Sequence, residues 1–491
     1  VSRWWPIALL GGGIAQNTQL TSGGHQWVSS GGVASSTNIS GGFEYVLNGG
    51  IAKDATAYVS GQIVSGGGVT QNTQLAGGHQ WVYSGGIANG TTISSGSFQV
   101  VSQNGIASGT VVSAGGIQSI LSGAKAYNAI VSSGGLQRIS NGGSAISGTI
   151  LAGGSQFISD GGQAWYTDLK DGAVRSVWGT GEAISDVISS GGIEYVENNG
   201  QAFDTVISSG GSQVVRYAGQ TTDVVINNGG EQTVISNGQT LRTSVNNGGN
   251  QIVDDKGSAL STFVSTNGLQ AVLGSGSAFD TVVSGMGARQ YVRQGGYASG
   301  VKVQGMEESY AEQDVTGKAV DVTLNSGGSQ FVRGLGETSQ VVINSSGWQR
   351  VQASAYDVTI NADGEQHVVS GGKATSVTVN NSGTQVVVGA SADAVTLSGK
   401  QIVYSGGQVT NTAIKTGGLQ DVRAEGTVTD TVVSTGGTQV LSGGVASNTI
   451  VNNGALQIIS EGGLAKDTTI SSGGAQTISN GGVASNTILM A

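Results

Sequence analysis

The chain has 491 residues, a formal net charge of −10 and a composition of 87 Gly, 1 Pro and no Cys. That balance offers no basic footprint for nucleic acid and no Lys/Arg run for an anionic membrane surface. The lack of Cys excludes a disulfide framework and Cys-based metal sites. No run of 18 apolar residues occurs, so no transmembrane helix is expected.

In chain order, residues 1–10 (VSRWWPIALL) carry Arg3 and a short apolar run without a long apolar core or a cleavage site. They read as a cap or leader remnant, not a signal peptide. From 11 to 489 one pattern recurs about every 19 residues: a Gly pair, a Gln, an aliphatic residue two places on, a second Gly pair, then Thr-x-Val/Ile. The Gln falls at Gln80, Gln99, Gln118, Gln137 and Gln156, and again at Gln213, Gln232, Gln251 and Gln270, with Arg175 and Glu194 in register between. Between Gln26 and Gln476 there are 25 such units, 22 with Gln at the marker. A fixed period of this length is the signature of a solenoid, each repeat packing on its neighbours. The glycines are periodic and flanked by Val, Ile and Thr, so they punctuate strands and do not form a linker. The expected fold is an all-β parallel β-helix of about 25 coils.

Within a coil, the residue two after the marker is always aliphatic (Val28, Val82, Ile139, Val253, Leu441), while the residue between varies (Trp27, Tyr45, Arg138, Thr233, Asp421). Strand side chains alternate faces, so Gln and the aliphatic residue point inward and the variable residue outward. The same reasoning places Thr37/Ile39, Thr110/Val112, Thr149/Leu151, Thr281/Val283 and Thr449/Val451 inside. A buried amide needs partners. At strand spacing, each Gln is expected to donate to the next and accept from the one before. The Gly pairs are expected to form corners needing positive φ. One coil buries about four to six apolar side chains at roughly 1.5–3 kcal/mol each, against roughly 1.5 kcal/mol per residue to order it. It cannot fold alone; 25 coils at about 4.8 Å would make a rod on the order of 120 Å with a mostly polar lateral surface.

The pattern blurs over 163–183, and four extra residues enter around 305–312, where a protrusion or kink is expected. The last residues, SNTILMA, stop inside a strand pattern, which suggests a fragment of a longer chain.

No catalytic motif stands out. The three His (His25, His79, His367) lack Cys or fixed carboxylate partners, and no G-x-S-x-G, H-E-x-x-H or paired-carboxylate pattern occurs. β-Helix polysaccharide lyases need clustered acids and bases, which this scattered charge does not supply; an enzyme, a cofactor and a metal are not expected. His25, Trp27, Phe43, Tyr45, His79 and Trp81 should form an outward aromatic patch: a contact site for a glycan or partner, or, preferably, cross-strand packing that shields the first coils. Glu307, Glu308, Glu312 and Asp314 make an acidic segment, read first as a solvated loop and second as a partner or cation contact.

Repeats such as GGLQRISNGGSAISGTILAGGSQFISDGG (134–162) resemble the AIDA-type self-associating autotransporter passengers over essentially 11–489. The resemblance implies a right-handed parallel β-helix on the outer membrane of a Gram-negative bacterium, exported through a C-terminal β-barrel that is absent from this sequence. It implies self-aggregation with copies on neighbouring cells, biofilm formation and adherence to host surfaces or glycans. It also implies O-linked heptose on Ser or Thr, added by a heptosyltransferase. Candidates are Ser29, Ser30, Ser132, Ser133, Ser189, Ser190, Ser208 and Ser209, for which turn chemistry is the plainer reading. The alternative function is a receptor- or glycan-binding module at the N-terminal end, carried on a β-helical stalk.

Overall fold

The computed structural model describes residues 6–94, 96–113, 115–208, 210–305 and 310–490. It is an all-β parallel solenoid of about 25 turns with a period near 19 residues. It divides into two compact units, 1–244 with 249–251 and 245–248 with 252–491.

Each turn contributes one strand to a first sheet and a bent segment to a second. In the first unit, Phe98–Val101 lies in the first sheet, and Ile106–Ser108 with Val111–Val112 in the second. Phe98–Val101 pairs in parallel with Ile117–Ile120, so that Gln99 stands beside Gln118 and Val101 beside Ile120. In many turns of the second unit, and at Gln220–Ile226 and Gln239–Val245 of the first, the two short pieces fuse into one strand, as in Lys373–Val379, which pairs in parallel with Ser391–Leu397. Ser376 bends that strand at φ 57°. Asn, Asp and Ser supply many such bends because their short polar side chains tolerate the left-handed region.

The strands exist because their alternation matches the pleat. In FQVV (98–101), Gln99 and Val101 are buried while Phe98 and Val100 are half-buried and face out. Val28, Val46, Val64, Val82, Val101 and Ile120 stack into one interior column of the first unit, facing a column of Ala that includes Ala34, Ala88 and Ala107. The expected inward Thr is found at Thr37, Thr110, Thr281 and Thr449. It fails at Thr149 and Leu151, which are half-buried on the outer side. Gly148 occupies the interior slot of that turn and Ile150 is the buried aliphatic. Thr149 lies one residue too far along, and a one-residue offset in a period of two reverses the face.

The two glycines of a pair do different jobs. Gly142 has φ +76° with open space around a hypothetical Cβ, so its backbone conformation is what asks for glycine. Gly143 has no positive φ, but a Cβ there would lie 2.2 Å from the carbonyl oxygen of Ile120 in the preceding turn. The expectation of positive φ thus holds for the first member; the second is glycine because stacked turns touch there.

Candidate functional site

The interior of each unit is an amide ladder. In the first unit Gln99 Nε2 donates to Gln80 Oε1 at 2.6 Å, Gln118 to Gln99 at 2.8 Å and Gln137 to Gln118 at 2.7 Å. In the second, Gln290 donates to Gln270 and Gln476 to Gln457, both at 2.7 Å. Along the ladder a Gln therefore donates to the preceding turn and accepts from the following one, the reverse of the expected sense. The interior Thr explains how the acceptor is completed: Thr73 Oγ1 donates to Gln62 Oε1 at 2.8 Å and Thr91 to Gln80 Oε1 at 3.0 Å. Both lone pairs of the carbonyl are thereby used.

Three positions of the first unit replace Gln in this column by a charged residue. Glu44 accepts from Thr37 Oγ1 at 2.9 Å and Gln62 Nε2 at 2.6 Å. Burial pushes its carboxyl above the ordinary range, although both hydrogen bonds oppose the shift. Beneath it, Gln26 is fully buried and neither side-chain polar atom has a partner among the described residues. Arg175 and Glu194 fill successive rungs, with Nε of Arg175 donating to Glu194 Oε1 at 2.9 Å. Arg175 Nη2 also donates to Asp186 Oδ2 at 2.7 Å, and all three side chains are at 0–1 % exposure. Burial raises the Asp186 carboxyl to about 6, with Arg175 opposing and Glu194 reinforcing the shift. Burial disfavours the Arg175 charge too, but the two carboxylates hold its guanidinium above its usual value. Asp186 was not foreseen in the sequence; its signal is its place 11 residues after Arg175, the offset of the interior Thr from its Gln.

The aromatic residues come together on the outer face of the first sheet. Trp27 and Tyr45 stack at 5.0 Å, His25 and Phe43 at 6.2 Å, and His79 lies edge-on to Trp81 at 5.8 Å. Phe98, missed in the sequence, stacks on His79 at 3.7 Å. The intervening turn carries Gly61, where a Cβ would meet the His79 carbonyl oxygen at 1.7 Å. Phe43 reaches over that position to within 6.2 Å of Trp81. The rings are half-buried by one another, and Nδ1 of both His25 and His79 is buried without a partner among the described residues. Burial also pulls the His79 imidazole below its ordinary value. This face is not mostly polar: Ile117, Leu136, Phe157, Ile193 and Tyr195 continue it outward, because β-branched and aromatic residues fit a pleated, half-covered surface.

Of the acidic segment, Glu307 and Glu308 lie outside the described residues. Glu312 and Asp314 are on the strand Ala311–Val315, not in a loop. Asp314 is 4 % exposed and clamped by Arg293 from the preceding turn and Arg333 from the following one, each at 2.8 Å. Of the candidate serines, Ser30, Ser133 and Ser190 are exposed at positive φ. Ser29, Ser132, Ser189 and Ser208 are half-buried, and Ser209 lies outside the described residues. A shallow cavity of about 330 Å³ in the second unit is lined by Asp357, Thr359, Ser376, Thr378 and Thr396. Among the described residues no group of three His, Cys, Asp or Glu is placed to hold a metal ion, and no helix is long and apolar enough to cross a membrane.

Turns stacked through a hydrogen-bonded interior, with aromatic and charged side chains on the outer faces, make each unit a repeat-built β-solenoid. Residues 440–491 match the family AIDA, described as an adhesin of the bacterial autotransporter system, probable stalk. A solved fragment of TibA, hyper-glycosylated by TibC catalysis, is 32 % identical, with the likeness covering 63 % of this chain and 99 % of that one at a TM-score of 0.48. This chain belongs to the AIDA-type family of autotransporter adhesin passengers. The tailspike protein of E. coli bacteriophage HK620, in complex with a pentasaccharide, is 10 % identical over 99 % of this chain and 72 % of its own, at a TM-score of 0.12. The Agl-KA catalytic domain is 11 % identical over 74 % and 62 %, at 0.13. Neither of these two likenesses bears on fold or function. No curated protein matches the sequence.

Proposed function

We propose that this chain is displayed on the surface of a Gram-negative bacterium and joins cells by binding copies of itself on neighbouring cells, promoting aggregation, biofilm formation and adherence. The observation that carries the reading is the 32 % identity to TibA along 99 % of that fragment. Residues 11–489 act as the passenger, and a β-barrel elsewhere in the whole protein anchors it. Long outer faces repeating at the spacing of the turns let two copies meet side by side through many weak contacts. The hyper-glycosylation of the TibA fragment supports O-linked sugar here, added by a heptosyltransferase. Ser30, Ser133 and Ser190 suit it best, being exposed at the corners.

The test is to display the chain on a non-clumping bacterium through a borrowed barrel and follow settling of the culture against salt. Settling that weakens with salt supports polar lateral contacts. Settling that persists or strengthens with salt assigns the contact to the apolar outer face of the first sheet. A culture that never settles refutes self-association.

A second reading rests on the aromatic cluster from His25 to Phe98, whose half-exposed rings suit a glycan or receptor. Replacing Trp27 and Trp81 by Ala separates the two: receptor binding would be lost, whereas clumping through the remaining turns would survive.

A further inference from the structure

The Arg175–Asp186–Glu194 cluster is a poor device for stability. Burying charges costs about as much as their attraction returns, and apolar or neutral replacements of such clusters are often neutral or stabilising. The ladder already had a working solution in this slot, since Gln fills it in the turns from Gln62 to Gln156 and from Gln213 to Gln251. The cluster must therefore supply something that Gln does not.

What Gln lacks is identity. Gln118 on Gln99 and Gln137 on Gln118 are the same contact at 2.8 and 2.7 Å, and the aliphatic and Ala columns beside them repeat as closely. A turn looped out, or a turn borrowed from a second copy, would restore nearly every contact. Repeats of this kind have near-degenerate alternative stackings. The charged cluster is different because its members come from two successive turns and fit in one order only. Arg175 donates down toward Gln156 Oε1 at 3.4 Å and up to Glu194, while Glu194 Oε2 accepts from Gln213 at 2.7 Å. The direction of donation is thus kept on both flanks. Asp186 is fixed from below as well, its Oδ1 accepting from the Thr167 amide at 2.6 Å. In any stacking that separates these two turns Glu194 would lie against Gln as a buried carboxylate with no cation, at a cost of several kcal/mol for each unpaired buried ion.

We propose that Arg175, Asp186 and Glu194 form a register lock, which determines which turn stacks on which in a ladder whose other rungs are interchangeable. Glu44, the remaining acid in this column, has no cation beside it among the described residues and cannot serve in this way.

The full chain contains no Cys, so Ser176→Cys with Tyr195→Cys gives a clean reporter: these two residues are paired neighbours on the outer face of the turns concerned. The reporter chain is unfolded in denaturant, refolded at low concentration and oxidised, with and without Arg175→Gln, Asp186→Thr and Glu194→Gln together. With the lock intact, intramolecular cross-linking should be nearly complete. In the neutral variant the melting temperature should hold or rise, while the cross-linked fraction falls toward about one third, as for three registers of similar energy. Equal cross-linking in the two chains would overturn the proposal. So would a neutral variant that fails to fold or melts well below the parent, because the cluster would then be holding the fold and not its register.

Discussion

Gln313 Nε2 donates to Gln290 Oε1 at 2.7 Å although 23 residues of chain separate them, whereas 19 separate Gln118 from Gln99 at 2.8 Å. The interior spacing is therefore set by the stack and not by the length of a turn. Long solenoids tolerate insertions for this reason.

A single rung is worth measuring. Replacing Gln118 by Leu leaves Gln137 Nε2 without its acceptor, and Gln99 Oε1 keeps only Thr110 at 3.3 Å. An orphaned buried polar group costs about 1–3 kcal/mol. Local hydrogen exchange around these turns should accelerate correspondingly, and unchanged protection would show that the ladder is not an energetic element.

The two glycines of a corner should respond differently. Gly142→Ala meets no atoms but must adopt positive φ, a cost of about 1–2 kcal/mol that Gly142→Asn should largely avoid. Gly143→Ala drives a methyl into the Ile120 carbonyl and should be the more damaging change, with no relief from Asn. Proteolysis rates of the four variants test the order.

Acidification should stabilise the first unit between pH 7 and 5. Glu44 and Asp186 both have carboxyls raised in the fold, Asp186 to about 6. The fold thus favours their protonated forms. That contribution is complete below the unfolded value of about 3.9 for Asp, declines as pH rises and is gone above about 6 for Asp186. Glu44→Gln gives the slot a donor that can face the orphaned Gln26. It should raise the melting temperature at pH 7 by a few degrees, at about 2–4 °C per kcal/mol for units of this size, and shrink the acid gain. A melting temperature that falls between pH 7 and 5 would contradict this.

Removing Arg175 alone should be severe. Arg175→Met leaves Asp186 and Glu194 buried together without their cation, at a cost of about 3–5 kcal/mol. Adding Asp186→Thr and Glu194→Gln should recover most of the loss, which equilibrium unfolding can read.

Asp314→Ala should loosen the turn after the insertion, because it frees both Arg293 and Arg333, which join that turn to its two neighbours. Faster exchange confined to the strands Arg289–Val292, Ala311–Val315 and Gly328–Val332 is the expected sign.

The period, the strands, the inward Gln and its aliphatic companion were all legible in the residues. Strand alternation is local, and a pattern repeated 25 times in 491 residues averages out its exceptions. The same averaging misled at Thr149, where one glycine shifts which residue fills the slot. The stack alone decided the rest: that Gln donates backward, that Gly143 rests on Ile120, that Phe43 reaches Trp81 over Gly61, and that Asp314 is clamped. These contacts join residues about one period or more apart, through a spacing that no single turn contains. Arg175 and Glu194 were visible as misfits in a column of Gln; that Asp186 completes them depends on one turn lying directly upon another.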